Sequence, residues 1–108
     1  MELLNPQANS NTESLTILER IGKGDKTAIE ECVNTYGNLI LALARYHTDS
    51  SEEAEILTQE IFLDIWRYAR RFDSVKFSES SFVYLIARRI LIKKCGNYAV
   101  SKLFNLVF

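Results

Sequence analysis

The sequence predicts an all-α fold, an irregular bundle of four to five helices, and three observations support this. Apolar residues recur at helical spacing in four segments. No segment shows the alternation of apolar and polar residues that is typical of strands. The chain has 108 residues, of which 47% are hydrophobic and 25% are charged, as expected for one ordinary globular domain. We therefore expect a single helical domain over residues 13–95.

The N-terminal half predicts a disordered segment followed by two helices. Residues 1–12 are polar and contain the only proline, so we expect them to be disordered. The first helix should start from Ser14 and end at Gly22, where glycine favours a helix C-terminus. Asp25 can cap the second helix, whose apolar residues keep a helical period to about His47.

The third helix should begin at Ser50, because a serine three residues before Glu53 is typical of a capping box, and it should extend to Arg71 or Phe72. At about 100° per residue, one stripe of this helix is expected in the core: Ala54, Leu57, Ile61, Ile65 and Tyr68. A second arc lies well away from the first and mixes apolar and polar residues: Ile56, Gln59, Glu60 and Leu63. Clustered apolar groups on an exposed arc indicate an interface. The alternative is that Ile56 and Leu63 pack beneath a neighbouring helix.

A loop from Asp73 to about Ser78 separates the third helix from a fourth, expected from roughly Ser80 to Lys94. One stripe of the fourth helix should face the core: Val83, Ala87 and Ile90. Another stripe carries an aromatic ring and two cations: Phe82, Arg89 and Lys93. Single-stranded DNA binding requires a ring that stacks on an unpaired base and cations that follow the phosphates. The alternative places Phe82 in the core and leaves the two cations solvated.

Residues 96–108 form an apolar C-terminal tail. Four of its residues keep helical spacing to the end of the chain: Val100, Leu103, Phe104 and Val107. We interpret the tail as a fifth, amphipathic helix that packs on the domain or pairs with another copy.

Charge is divided unevenly along the chain. Residues 1–63 carry four Lys and Arg against eleven Asp and Glu, for a net charge of −7, whereas residues 64–108 carry nine against three, for a net charge of +6. The asymmetry favours two different partner surfaces, of which the later one suits phosphates. The alternative is surface charge that happens to segregate.

Several function classes are disfavoured by what the sequence lacks. Cys32 and Cys95 have no zinc-type spacing, and the only histidine provides no second imidazole, so we expect free thiols, no metal and no cofactor. We find neither a signal peptide nor a membrane span, and therefore expect a cytoplasmic protein. No Ser/His/Asp arrangement, acid/base pair or phosphate-binding glycine loop is present, so the sequence predicts no enzyme.

Three blocks, which together cover about residues 15–94, resemble region 2 of the extracytoplasmic-function (ECF) class of sigma factors. The first block, ILERIGKGDKTAIEECVNTYGNLILALA, is weakly specific. The second, EEAEILTQEIFLDIWRYARRFD, is similar to the family pattern A-E-D-L-x-Q-E-x-F-L-x-x-W and carries the strongest signal. The third, FDSVKFSESSFVYLIARR, aligns without a gap to F-D-P-x-R-G-S-F-x-x-W-L-x-x-I-A-R-N. The sequence departs from the family at four positions: Ile56 for aspartate, Glu79 for an aromatic residue, Phe82 for tryptophan and Arg89 for asparagine.

The resemblance implies a transcription-initiation module that docks on RNA polymerase and melts promoter DNA. It implies that the third helix binds the β′ coiled coil of core polymerase through Glu55, Ile56, Gln59, Glu60 and Leu63. It implies that the loop and the fourth helix bind the single-stranded −10 element through Lys76, Ser78, Phe82, Arg88, Arg89 and Lys93. An anti-sigma factor is a further partner that the resemblance suggests. The alternative is a truncated module that binds polymerase or an anti-sigma factor without engaging DNA.

Overall fold

The computed structural model describes residues 15–96 and contains four α-helices. These are α1, Ile17–Gly22; α2, Thr27–Tyr46; α3, Ser51–Tyr68; and α4, Glu79–Cys95. A 3₁₀ turn, Ala69–Arg71, continues α3. No strand occurs within residues 15–96, and the predicted all-α class is confirmed. The predicted N-terminal disorder and C-terminal helix lie outside the described residues and stay predictions.

Helix α1 begins at a capping box, which was not predicted for this helix. The Thr16 hydroxyl accepts a hydrogen bond from the Glu19 amide at 3.1 Å, and the Glu19 carboxylate accepts one from the Thr16 amide at 2.9 Å. This reciprocal pair satisfies two amides that have no partner within the helix. The predicted start at Ser14 is therefore wrong, because Thr16 is the capping residue. Gly24 follows the helix with a φ of +91°, a conformation that favours glycine.

The other helices begin beside short polar side chains. Asp25 accepts hydrogen bonds from the Thr27 amide at 3.0 Å and the Thr27 hydroxyl at 2.6 Å, although Lys26, which makes no side-chain cap, is the residue that directly precedes α2. Ser50 caps α3 by accepting from the Glu53 amide at 3.1 Å. Ser78 caps α4, which starts one residue before the predicted Ser80. Short polar side chains therefore set the beginning of each long helix.

Helices α2, α3 and α4 share one core, in which α3 packs against both other long helices. The predicted core stripe of α3 is buried except at its last member, Tyr68, which is half-buried. The predicted core stripe of α4 is buried at Val83, Ala87 and Ile90. Helix α1 contributes Leu18, which has no exposed surface. The bundle therefore fixes the orientation of α3 and α4, from which most of the candidate side chains project.

Glu79 ties the start of α4 to both N-terminal helices. Its carboxylate accepts a hydrogen bond from the Leu18 amide at 2.7 Å and another from the Tyr36 hydroxyl at 2.9 Å. Burial, together with the hydrogen bond to Glu79, raises the pKa of Tyr36, so the phenol stays a neutral donor. The residue that departs from the family pattern at this position therefore makes two contacts that join α1, α2 and α4.

Candidate functional site

The predicted interface arc on α3 is exposed. Ile56 and Leu63 keep 52% and 53% of their surface accessible, and Gln59 is exposed between them. The alternative that a neighbouring helix covers Ile56 and Leu63 is wrong for the described residues. Glu55 is also exposed, whereas Glu60 is half-buried and pairs with Lys94 of α4 at 3.5 Å. The arc thus presents apolar and hydrogen-bonding groups together, and its Glu60 edge is anchored to α4.

A groove between α2 and α3 adjoins this arc. It encloses a cavity of about 670 Å³ and is lined by side chains of both helices, among them Val33, Leu41, Phe62, Leu63 and Trp66. Val33 remains 41% exposed although it is apolar. The apolar period of α2 predicted a helix but did not indicate that Val33 forms part of an exposed surface. Leu63 belongs to both the arc and the groove, so the two form one continuous surface.

The loop after α3 is ordered by Asp73. The Asp73 side chain accepts a hydrogen bond from the Val75 amide at 3.0 Å, and its carbonyl accepts from the amides of Lys76 and Phe77, each at 3.0 Å. Lys76 is exposed, as its predicted DNA-binding role requires. Phe77, which the sequence analysis did not single out, is 41% exposed and offers a second aromatic ring at the loop.

The Phe82 ring, which was expected to stack on an unpaired base, also packs against the core. It is half-buried, and its ring centroid lies 5.3 Å from that of the buried Phe72 and 6.4 Å from that of Phe77. Both pairs have an edge-to-face geometry, which is favourable for aromatic rings. Phe82 therefore packs on core rings and still keeps part of its surface exposed, and its role in binding stays a prediction.

The remaining predicted DNA-binding residues lie in different environments. Lys93 is exposed and Arg88 is half-buried on α4. Ser78 is engaged as the cap of α4, because its hydroxyl accepts from the Ser81 amide and donates to the Ser81 hydroxyl at 2.8 Å. Arg89 is held by a partner that was not expected, the carboxylate of Asp64 on α3.

Asp64 is the one charged residue among those described that is buried, with 3% of its surface exposed. It accepts hydrogen bonds from Arg67, one turn later on α3, and from Arg89. The Arg89 guanidinium also lies 4.7 Å from the centroid of the Tyr68 ring. The neighbouring Arg89 guanidinium lowers the pKa of Tyr68. Sequence spacing does not reveal this group, because Asp64 and Arg89 are 25 residues apart.

A cationic side chain would interact favourably with the dipole at the end of α2, where His47 lies, but this histidine is not suited to that role. Burial lowers the pKa of His47, and its Nε2 atom is buried without a hydrogen-bond partner among the described residues. Both observations favour the neutral imidazole.

No group of three or more His, Cys, Asp or Glu side chains that could hold a metal occurs within residues 15–96. None of the described helices is both long enough and apolar enough to cross a membrane.

Comparisons with known proteins agree on one family. The family profile of Sigma-70 region 2 matches residues 32–97. The ECF RNA polymerase sigma factor SigK of Mycobacterium tuberculosis (strain ATCC 25618 / H37Rv) is 30% identical over 84 residues, which cover 78% of this chain and 44% of the relative. SigK of Mycobacterium bovis (strain BCG / Pasteur 1173P2) matches with the same identity and coverage. This chain spans less than half the length of these curated relatives. No solved structure gives a significant match.

The matched region contains α3, the loop and α4, which are the elements that carry the exposed arc and the cationic helix. Its motifs are those on which the resemblance was based. The chain therefore belongs to the Sigma-70 region 2 family and is related to the sigma factors of the ECF class.

Proposed function

We propose that this domain acts in transcription initiation by docking on core RNA polymerase and binding the unpaired −10 strand of promoter DNA. The observation that carries the proposal is the division of the exposed surface between two elements. The arc on α3 and the groove beside it offer apolar area that no other residue within 15–96 covers, whereas the loop and α4 offer rings and cations. Binding energy for unpaired bases would then favour melted DNA without any chemical step.

Docking is supported by the composition of the α3 surface. Ile56 and Leu63 are large apolar side chains that are half exposed, and exposed Gln59 lies between them with an amide that can donate and accept. A helical partner such as the β′ coiled coil would bury these apolar groups and satisfy the amide. The adjoining groove would take one further side chain of the partner, because its walls are apolar and it is open to solvent.

DNA binding is supported by the surface that the loop and α4 form together. Lys76 and Lys93 are exposed, and Phe77 and Phe82 lie between them in sequence with accessible ring surface. Rings of this kind stack on bases without sequence preference, and the lysines supply the contacts that follow the phosphate backbone.

The docking proposal is tested by changing Gln59 and Leu63 together to Ala and Arg. We expect affinity for core polymerase in a pull-down to fall by about 30-fold or more, because a central interface residue typically contributes ~2 kcal/mol or more. Helicity and melting temperature should stay near those of the unchanged protein. Tyr46→Arg introduces the same cation at an exposed position on α2 and should bind normally. A double variant that still binds polymerase as tightly as the unchanged protein would contradict the proposal.

The DNA proposal is tested on the polymerase-bound domain with a fluorescent single-stranded oligonucleotide at several salt concentrations. Phe82→Ala should weaken binding by ~1–3 kcal/mol, nearly independently of salt. Lys93→Ala should instead lower the salt slope by about 0.7, as expected for one lost phosphate contact with a single strand. Because Phe82 also packs on Phe72, Phe82→Leu serves as the control that retains apolar volume and removes the ring face. If all three variants bind as the unchanged protein does, DNA engagement is refuted.

A second candidate function is a protein-interaction module that occupies polymerase or an anti-sigma factor without binding DNA. The observation that favours it is that three departures from the family pattern are engaged within the domain. Glu79 bonds Leu18 and Tyr36, Phe82 packs against the core, and Arg89 pairs with Asp64. Loss of polymerase binding by the Gln59 and Leu63 variant, together with normal behaviour of the Phe82 and Lys93 variants, would select this function.

A further inference from the structure

The end of α4 lies beside the exposed arc on α3. Lys94, in the last turn of α4, pairs with Glu60 of the arc, with 3.5 Å between Nζ and Oε2. Lys94 and Ile56 also line one cavity of about 370 Å³. Helix α4 ends at Cys95, and Gly96 follows with a φ of +99°, a conformation that favours glycine and ends the helix. The chain therefore leaves α4 next to the surface that is proposed to dock on polymerase.

The apolar tail, residues 96–108, has the composition of a partner for this arc. It contains one lysine and no acidic residue, whereas the arc contains Glu60. Four apolar residues of the tail are spaced at i, i+3, i+4 and i+7, which share one face of a helix: Val100, Leu103, Phe104 and Val107. That face would be about 10 Å long. The apolar residues of the arc, Ile56 and Leu63, are also seven positions apart, so the two apolar faces match in length.

The connection between α4 and the apolar face of the tail is long enough to reach the arc. The four residues 96–99 span up to about 13 Å when extended. Along α3, Glu60 lies about 6 Å from the level of Ile56 and about 5 Å from that of Leu63, at 1.5 Å per residue. Because Lys94 is already beside Glu60, the tail can cover both apolar residues without a change in the bundle.

A segment attached this close to its binding surface needs only a weak intrinsic affinity. The effective concentration of a group on a short linker is in the millimolar range, so a contact with a dissociation constant below about 1 mM is formed most of the time. Ile56 and Leu63 are 52% and 53% exposed, and no other residue within 15–96 covers that area. Burying it against an apolar face is favourable.

We propose that the tail binds the arc between Ile56 and Leu63 of the same chain and competes with RNA polymerase for it. The competition rests on the proposed docking function, whereas the contact between the tail and the arc does not. A bound tail shields Gln59, which lies between the two apolar residues. Polymerase reaches the arc only when the tail leaves it, so its apparent affinity is reduced in proportion to the uncovered fraction.

Two variants in the tail separate binding of its apolar face from a general effect of charge. Phe104→Glu places a charge within the apolar face and should release the tail. Asn105→Glu adds the same charge at the next position, which at about 100° per residue lies off that face, and serves as the matched control. Neither change falls within residues 15–96, so both variants keep the sequence of the described bundle.

The contact is measured without polymerase, by the rate at which DTNB reacts with Gln59→Cys in a Cys95→Ser background. Cys32 gives little signal because it is buried and burial raises its pKa to about 11. Adding Phe104→Glu should accelerate the reaction about fivefold, as expected if the tail covers the arc about four-fifths of the time. Adding Asn105→Glu should leave the rate unchanged.

A second thiol position controls for effects that are not local. Val75 is 91% exposed in the loop that precedes α4, at the end of that helix remote from the tail. Val75→Cys should therefore react at the same rate with and without Phe104→Glu. Protection of the thiol at position 59 should not depend on protein concentration, because the tail and the arc belong to one chain.

Competition is measured by titrating core polymerase with the full chain that retains Gln59. Phe104→Glu should bind polymerase about fivefold more tightly than the unchanged protein, whereas Asn105→Glu should bind equally. The factor should agree with that from the DTNB rates, because both experiments report the fraction of molecules whose arc is uncovered.

Equal DTNB rates with and without Phe104→Glu would overturn the proposal. Protection that grows with protein concentration would also overturn it, because the tail would then bind a second copy. Unchanged polymerase affinity in Phe104→Glu, despite faster DTNB reaction, would refute the competition. An unchanged protein that does not bind polymerase would refute the docking function, whereas the DTNB rates would still decide whether the tail binds the arc.

Discussion

Replacing Glu79 by alanine should destabilise the domain more than any other single change at a partly exposed glutamate. The change leaves the Leu18 amide and the Tyr36 hydroxyl without their acceptor. An unsatisfied buried donor costs ~1–3 kcal/mol, and the lower part of that range applies here because water can reach a half-buried site. A further loss of ~0.3–1 kcal/mol is expected from the negative charge at the start of α4. Together these effects predict a destabilisation of about 2–4 kcal/mol.

The measurement is the free energy of unfolding in urea, followed by circular dichroism. For a domain of this size the expected loss corresponds to a fall in melting temperature of roughly 10 °C or more. Glu52→Ala is the matched control, because Glu52 is an exposed acid in the first turn of α3 and loses only the interaction with the helix dipole.

A double-mutant cycle tests the reasoning more closely. Tyr36→Phe removes one of the two donors, so Glu79→Ala should cost about 1 kcal/mol less in that background. Two results would contradict this account of the hydrogen bonds. One is a free energy of unfolding for Glu79→Ala within 0.5 kcal/mol of that of the Glu52→Ala control. The other is full additivity of Glu79→Ala and Tyr36→Phe.

Three other predictions concern pH, thiol reactivity and the tail. Burial lowers the pKa of His47 in the folded state, so the unfolded chain binds more protons and the free energy of unfolding should fall as pH decreases through about 6.5. His47→Gln should flatten that pH dependence, and an unchanged pH profile would contradict the role of burial. Burial raises the pKa of Cys32 to about 11, so in a Cys95→Ser background the thiol should react with DTNB at pH 8 only after urea is added, and rapid reaction of the native protein would count against this. Deletion of residues 97–108 should change the sedimentation coefficient or the stability if the tail packs, whereas an unchanged monomer of unchanged stability would show the tail to be idle.

Local patterns in the sequence were sufficient to predict the helices. Apolar periodicity located all four of them, and short polar residues such as Asp25 and Ser50 correctly marked where two of them begin. The start of α1 was misplaced because the apolar spacing from Ser14 continues into the helix, whereas the reciprocal bonds of Thr16 and Glu19 determine where it begins. The residues that determine where a helix begins are thus only a few positions apart in the sequence.

The interactions that were not predicted are between residues far apart in sequence. Glu79 and Leu18 are 61 positions apart, and Asp64 and Arg89 are 25 positions apart, so spacing within one helix could not indicate either pair. Helical projection correctly placed Leu63 on an exposed arc but could not show that α2 continues the surface with Val33. The same projection assigned Phe82 to one face, whereas the aromatic contacts with Phe72 and Phe77 give it two environments.

The position of α1 has a practical consequence for where the polypeptide can be cut. The family match begins at residue 32, so a protein trimmed to the matched region would lack α1 and the first turn of α2. It would lose Leu18 from the core and remove one of the two donors to Glu79. It would also lose Glu19, which accepts a hydrogen bond from Ser74 of the loop at 3.2 Å. A fragment for expression, crystallisation or selection of binders should therefore include the chain from residue 15.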